Sequence, residues 1–256
     1  MSHEHRTAPT ERFSNRVGDY VRYRPGYPPE VVALLREMTG LSPSWRVADI
    51  GSGTGISTAI LLDAGNEVFA VEPNSDMREA AESRLGSRRG FHSVDGTAEA
   101  TGLEPGSVDL VVAAQAFHWF DRDAARREMA RILRHDGWVA LIWNVRQTES
   151  SEFLRELEAL LLDYSIDYAR VRHENVTEEI VRAFLPRDYG KRVFEHTQEL
   201  DFDGLRGRIS SASYVPAPGH PGHEPLFAEL EQLFARRAEN GRVRIVYDAV
   251  VHSGRL

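Results

Sequence analysis

A chain of 256 residues, 41% hydrophobic and 27% charged, is long enough to bury a sizeable core, and its lack of cysteine excludes disulfides, thiolate nucleophiles and cysteine zinc sites. Its formal charge of −8 opposes nonspecific attraction to phosphate backbones, and no apolar run has the length of a membrane span or the form of a signal peptide. The expectation is a cytoplasmic protein with a small-molecule partner, no nucleic acid and no membrane; the oligomeric state is left open.

In chain order, Pro25, Pro28 and Pro29 stiffen an N-terminal arm, within which Tyr20, Tyr23 and Arg24 place two phenols and a guanidinium suited to clamping a carboxylate of a cofactor or substrate. Val31, Leu34, Leu35 and Met38 then recur at helical intervals, predicting a helix over Glu30–Met38. From Arg46 to Asn144, β-rich runs alternate with helical patterns, the signature of a parallel sheet with helices on both faces. The runs Val47–Ile50, Val68–Val71, Phe91–Val94, Val108–Ala114 and Trp138–Trp143 read as strands. Ser57–Asp63, Asp76–Leu85 and Arg122–Leu133 read as helices, capped by Asn74 or Ser75 and by Asp121, with Gly65, Gly86 and Gly137 near helix ends. In the third of these, Arg126, Arg127 and Arg131, with Arg134 following, alternate with Glu128 and apolar residues as a solvated helix face does.

Beyond the fifth strand, Phe153, Leu157, Leu160, Leu161 and Tyr164 repeat at helical intervals and Thr177–Phe184 follows as a second helical stretch, together reading as an insertion. Val193–Leu200 reads as a sixth strand, Val215–Pro225 as a loop, Leu226–Phe234 as part of a helix that Gly241 ends, and Arg242–His252 as a closing strand. The whole reads as one α/β domain with a doubly wound, mostly parallel seven-stranded sheet and a helical cap insertion. Its parts are an arm and helix over 1–40, a cofactor-binding core over 45–145, the cap over 146–190 and completion of the sheet over 191–256.

The first strand runs through Asp49 into Gly51, Gly53 and Gly55 and then a helix, and Glu72 ends the next strand where an acid meets a ribose diol. The spacing is G-x-G-x-G with an acid two residues before the first glycine, not the G-x-G-x-x-G of a dinucleotide site. Asp49 suits a cationic ligand end, and the glycines allow close backbone approach.

D-I-G-S-G-T-G, then V-E-P-N, then G-T-A-E, then D-L-V-V-A-A-Q-A-F-H-W-F-D resemble the class I S-adenosylmethionine-dependent methyltransferases of the type 11-like group, over residues 46–144. The Y-x-x-Y-R-P-x-Y-P segment at Tyr20–Pro28, together with His118–Asp121, is similar more narrowly to a group containing trans-aconitate methyltransferase-like enzymes. The resemblance implies a Rossmann-like methyltransferase fold and S-adenosyl-L-methionine as cofactor. It implies that Asp49, Gly51 and Gly53 hold the methionine moiety, Glu72 the ribose with Pro73 beside it, Thr97 and Ala98 the adenine edge, and that Ala114 or Gln115 borders the sulfonium. Thr97 stands where many relatives carry an acid, a role for which Asp95 and Glu99 are candidates.

His118 and Trp119 follow the fourth strand, at the crevice where doubly wound sheets bind ligands, and are expected to face the transferred methyl and the acceptor. His118 is the candidate general base for an oxygen or nitrogen nucleophile; a carboxylate acceptor needs no base. The function expected is methyl transfer to a small molecule, a carboxylate being one candidate. The alternatives are a noncatalytic S-adenosylmethionine-binding regulator and a nicotinamide-dependent oxidoreductase.

Overall fold

The computed structural model describes Gly18 and residues 22–165 and 176–256; Tyr20 and most of the expected arm before Arg22 lie outside the described residues. Among the described residues, seven strands form one sheet: β1 (Arg46–Ile50), β2 (Glu67–Val71), β3 (Phe91–Val94), β4 (Val108–Ala114), β5 (Leu133–Arg146), β6 (Arg187–Leu200) and β7 (Val243–Arg255). Their order is β3-β2-β1-β4-β5-β7-β6, and β7 alone runs antiparallel to its neighbours β5 and β6. The helices are α1 (Glu30–Thr39), α2 (Ile56–Asp63), α3 (Ser75–Leu85), α4 (Arg122–Ile132), α5 (Glu152–Tyr164), α6 (Glu178–Phe184), α7 (Phe202–Ser210) and α8 (His223–Arg237).

The central strands are apolar on both sides because helices cover both faces. Val47, Leu110, Val112, Ala140 and Ile142 pack on one face against Val31, Val32 and Leu35 of α1 and Leu61 and Leu62 of α2. Their chain neighbours Ala48, Val111, Ala113, Val139 and Leu141 turn to the other face, against Ala125, Met129 and Ile132 of α4 and Val181 and Phe184 of α6. Side-chain caps start the helices as their sequences require. Asn74 accepts from Met77 N at 2.9 Å, Asp121 from Ala124 N at 3.1 Å and Asp201 from Gly204 N at 2.8 Å.

Several boundaries differ from the sequence expectation. β5 begins directly at Leu133, so Gly137 lies inside a strand at an irregular register, where a Cβ would come within 2.7 Å of Leu133 Cδ2. β6 begins at Arg187, its exposed edge residues diluting the apolar alternation that marks it only from Val193. Helix α8 stops at Arg237. Asn240 and Gly241, both at positive φ, instead make the tight turn closed by reciprocal Glu239–Arg242 hydrogen bonds. Helix α7, unforeseen, contains two glycines and so lacked a strong helical pattern.

The β6–β7 ribbon outruns β5. Pairing between β5 and β7 ends at Arg146 and Tyr247, whereas β6 and β7 continue to Leu200 and Val243. On this overhang sits a separate apolar cluster: Leu154, Leu157 and Leu161 of α5, Leu205 and Ile209 of α7, and Leu226 and Leu230 of α8 over Val243, Ile245 and Tyr247. Helices α5 and α6, consecutive among the described residues, therefore join different clusters. Phe184 of α6 meets Phe117 edge-on at 4.7 Å on the α4 side.

Candidate functional site

The carboxyl ends of β1, β2, β4 and β5 bring the expected residues together at the point where strand order reverses. Asp49 is 0% exposed. Its Oδ2 accepts from Ser57 Oγ at 2.7 Å and Thr58 Oγ1 at 2.6 Å, both in the first turn of α2, while its Oδ1 is buried without a hydrogen-bond partner. Burial pushes this carboxyl up to about 6, against the hydrogen bonds from Thr58 and Ser57 that pull it down. Glu72 binds the glycine turn from the opposite side, accepting from Gly53 N and Asn74 N at 2.9 Å each. Burial raises its pKa as well, against those two bonds and Arg78, and the charge of Asp49 adds to the rise.

Gly51 is required by space and Gly55 chiefly by its backbone conformation. A Cβ on Gly51 would lie 2.6 Å from Ala116 Cβ, and one on Gly55 2.6 Å from Leu85 Cδ1; both also have positive φ. Gly51 thus lets the turn approach the segment after β4, where Ala116, Phe117, His118, Trp119 and Phe120 bend through a short 3-10 helix.

Ala114 is the last residue of β4 and is buried; Gln115 follows at φ 56, an uncommon conformation for a residue with a side chain. It is held there by Gln115 N donating to Ile142 O at 2.8 Å and by Nε2 donating to Asn144 O at 3.0 Å. His118 and Trp119 are half-buried on the 3-10 turn, their rings 4.8 Å apart.

In the loop after β3, Ala98 is buried and Thr97 exposed. The Thr97 hydroxyl accepts from Glu99 N and Ala100 N, so it shapes its own turn. Asp95 pairs with Arg78 at 3.1 Å, and Glu99 accepts from Asp121 N. Pro73 is half-buried, its carbonyl accepting from Arg78.

The described part of the arm lies against the overhang. The Tyr23 ring covers Gly207 of α7 so closely that a Cβ there would fall 2.1 Å from Tyr23 Cδ2, and Tyr23 O accepts from Gln198. Arg24 donates to Ser211 O at the carboxyl end of α7, and Gly26 O accepts from Asn144 Nδ2. Asn144 thus ties the arm to Gln115 and so to the mouth of the crevice.

Four contributors escaped sequence reading. Ser57 and Thr58 were visible only as the start of a helix. Asn144 falls just past the run Trp138–Trp143 that reads as a strand, yet it lies within β5 and its amide is buried. Glu128 belongs to the face read as solvated, yet it is 9% exposed and accepts from Thr101 N and Oγ1 as well as from Arg131. The Arg131 bond, with those from Thr101, holds its carboxyl down at about 2. Its apolar spacing with Ala125, Met129 and Ile132 was the available signal.

Residues 48–141 match the family model described as a methyltransferase domain. An uncharacterized methyltransferase of Schizosaccharomyces pombe is 33% identical over 89% of this chain and 90% of its own length. A Saccharomyces cerevisiae protein named a probable S-adenosylmethionine-dependent methyltransferase is 31% identical over 86% of this chain and 72% of its own. An uncharacterized Mycobacterium tuberculosis methyltransferase is 39% identical, but the match spans 58% of each chain, less than two thirds of that relative. A solved structure assigned as a type II methyltransferase of Anaeromyxobacter dehalogenans shares the fold, with TM-score 0.61 and 24% identity over 91% of this chain and 98% of that one. The chain belongs to the class I S-adenosylmethionine-dependent methyltransferases. The residues present fit that cofactor: Asp49 Oδ1 offers a buried acceptor without a donor, the turn at Gly51 leaves no room for a side chain, and Glu72 retains acceptor capacity beyond its two backbone bonds. Among the described residues no group of carboxylates and histidines could hold a metal ion, and no helix is long and apolar enough to cross a membrane.

Proposed function

We propose that this chain methylates a small molecule held between the 3-10 turn after β4 and the arm. The observation that carries this is the unpartnered Asp49 Oδ1, a fully buried anionic acceptor beside a glycine turn. When bound, S-adenosylmethionine supplies an electrophilic methyl on a sulfonium, and its transfer leaves S-adenosylhomocysteine. In this reading Asp49 faces the ammonium and Glu72, flanked by Pro73, accepts from the ribose hydroxyls. Ala98 and the turn shaped by Thr97 border the adenine, and Gly51, Gly53, Ala114 and Gln115 enclose the methionine portion.

Tyr23 and Arg24 close the acceptor side by fixing the arm on α7, and α5, α7 and α8 roof it from the overhang. Residues 1–256 act as one domain in which catalysis comes chiefly from aligning acceptor and methyl and excluding water. His118 takes the proton when the nucleophile carries one, and Trp119 walls the acceptor; a carboxylate acceptor uses the same alignment without a base.

S-adenosylhomocysteine should raise the Tm, since it binds only the native state, and Asp49→Ala and Glu72→Ala should each remove most of the rise. An unchanged rise in both variants would overturn the assignment. With a protonated acceptor, His118→Gln should lower kcat by ~10²-fold while leaving that Tm rise intact.

A further inference from the structure

Strand β6 ends the sheet, and only one edge of its fourteen residues is paired. Among the described residues its backbone bonds β7 alone, apart from Lys191 O, which accepts from Arg192 Nη1. Every second residue of such an edge turns its N–H and C=O outward, open to another strand. Two observations mark the middle of this edge. Val193 is 52% exposed, a large apolar side chain set among Lys191, Arg192 and Glu195. Glu195 stands directly across from Asp248 of β7, and Gln147 Nε2 bridges the two carboxylates at 3.0 and 2.9 Å. Like charges facing each other across a ladder are unfavourable, and among the described residues no cation forms an ion pair with either acid.

We propose that two copies of this chain pair through β6, antiparallel about a two-fold axis at Val193, so that one sheet runs through both. The axis must pass through a residue, so that each side chain meets one on its own face of the sheet. With Val193 on the axis the two valines face each other, Lys191 of each copy meets Glu195 of the other, and Arg192 meets the Phe194 ring. Glu195 thereby gains the cation it lacks. Neighbouring registers do worse: an axis at Arg192 or at Glu195 sets that charge against itself, and an axis at Phe194 brings no opposite charges together between Gly190 and Gln198. The ladder runs from Gly190 to His196, and before Gly190 the irregular register around Asp188, at φ 52, bends the strand. Edges guarded against a second copy carry charge of one sign, whereas opposite signs four residues apart on one face attract it. The pairing also reaches the site. His196 meets Asn144 Oδ1 at 3.0 Å and Gln198 donates to Tyr23 O, so each copy braces the strand that anchors the other's arm.

Sedimentation of the full chain from about 1 to about 100 μM should show monomer giving way to dimer, as a small interface would. Lys191→Glu brings two acids together at each contact and Glu195→Lys two ammoniums, so each variant alone should dimerise at least roughly 10-fold more weakly than the parent. Mixed in equal amounts, the two variants should form a heterodimer, because both contacts again join opposite charges. Misfolded chains would not recover in this way. The chain has no cysteine, so Val193→Cys carries a single thiol on the axis and should link to its twin under oxidised glutathione. Glu199→Cys, far from the axis, should stay unlinked. A chain monomeric throughout that range, a dimer that survives both charge reversals, mixed variants that remain monomeric, or cross-linking of Val193→Cys no faster than that of Glu199→Cys would overturn the pairing.

Discussion

In the proposed site, Asp49 sets ligand binding against the stability of the free protein. Its carboxyl titrates near 6 in the fold against 3.8 in the open chain, so ionising it costs stability as pH rises from about 4 to about 6, reaching about 3 kcal/mol above that. Asp49→Asn should therefore raise the Tm of the ligand-free protein by several degrees at pH 7.5, with the advantage vanishing at pH 4. The same change should abolish S-adenosylhomocysteine binding. In the parent, affinity should climb as pH rises through about 6 and then level, because an ammonium ligand favours the ionised form; thermal melts across pH with and without ligand check all three. Glu128 has the opposite sign. Held near 2 by Arg131 and Thr101, it adds stability that is complete above about 4.5 and lost as pH falls toward 2, on the order of 2 kcal/mol. Glu128→Gln should flatten that part of the stability curve and loosen residues 96–101, read as faster amide exchange there.

At the scale of elements, the arm is both strap and core. Tyr27 is buried with Val31 and Leu35 beneath the sheet, and Tyr23 is seated on Gly207, so removing residues 1–29 should not spare the fold as an extended arm would. Tyr27→Ala should lower stability by about 3 kcal/mol. Gly207→Ala should unseat Tyr23 with a smaller loss of stability, since an alanine suits a helix, and should speed protease cleavage at Arg22 and Arg24. Cleavage no faster than in the parent would show that Tyr23 does not fasten the arm. The elements that sequence reading located well, β1 to β4 and α2 to α4, announce themselves by apolar runs and local caps such as Asn74 and Asp121. Those it misjudged depend on partners distant in the chain. The edge residues Arg187–Arg192 pair only because β7 lies alongside, and α7 is helical because Leu205 and Ile209 find the overhang cluster. For the candidate site, Asp49 and Gly51 were legible because one local turn carries them, and Glu72 because it directly follows the very next strand, from where it accepts from Gly53 N. Asn144 was not, since Gln115, Gly26 and His196 reach it only through strand pairing and the arm.

For the whole molecule, the sheet consists of a parallel half, β3-β2-β1-β4-β5, and an antiparallel ribbon joined along the β5–β7 seam. The crevice belongs to the first half, and the cluster of α5, α7 and α8 proposed to cover the acceptor belongs to the second. Changes along the seam should therefore uncouple acceptor recognition from cofactor binding. Ala249→Pro, opposite Asn144 toward the Arg146 end of the seam, should raise the acceptor requirement more than it weakens S-adenosylhomocysteine, measured by KM against the ligand-induced Tm rise.

The threading of β7 between β5 and β6 also has a consequence for the nascent chain. A ribosome delivers β6 before the strand that must separate it from β5, so for more than forty residues the outer rim of β5 has no correct neighbour and β6 is a tempting wrong one. Both run parallel in the finished sheet, and parallel pairing across an intervening stretch forms slowly, which gives β7 time to arrive. The tight Asn240–Gly241 turn reverses the chain just before β7 and leaves little slack between α8 and the strand that must fill the gap.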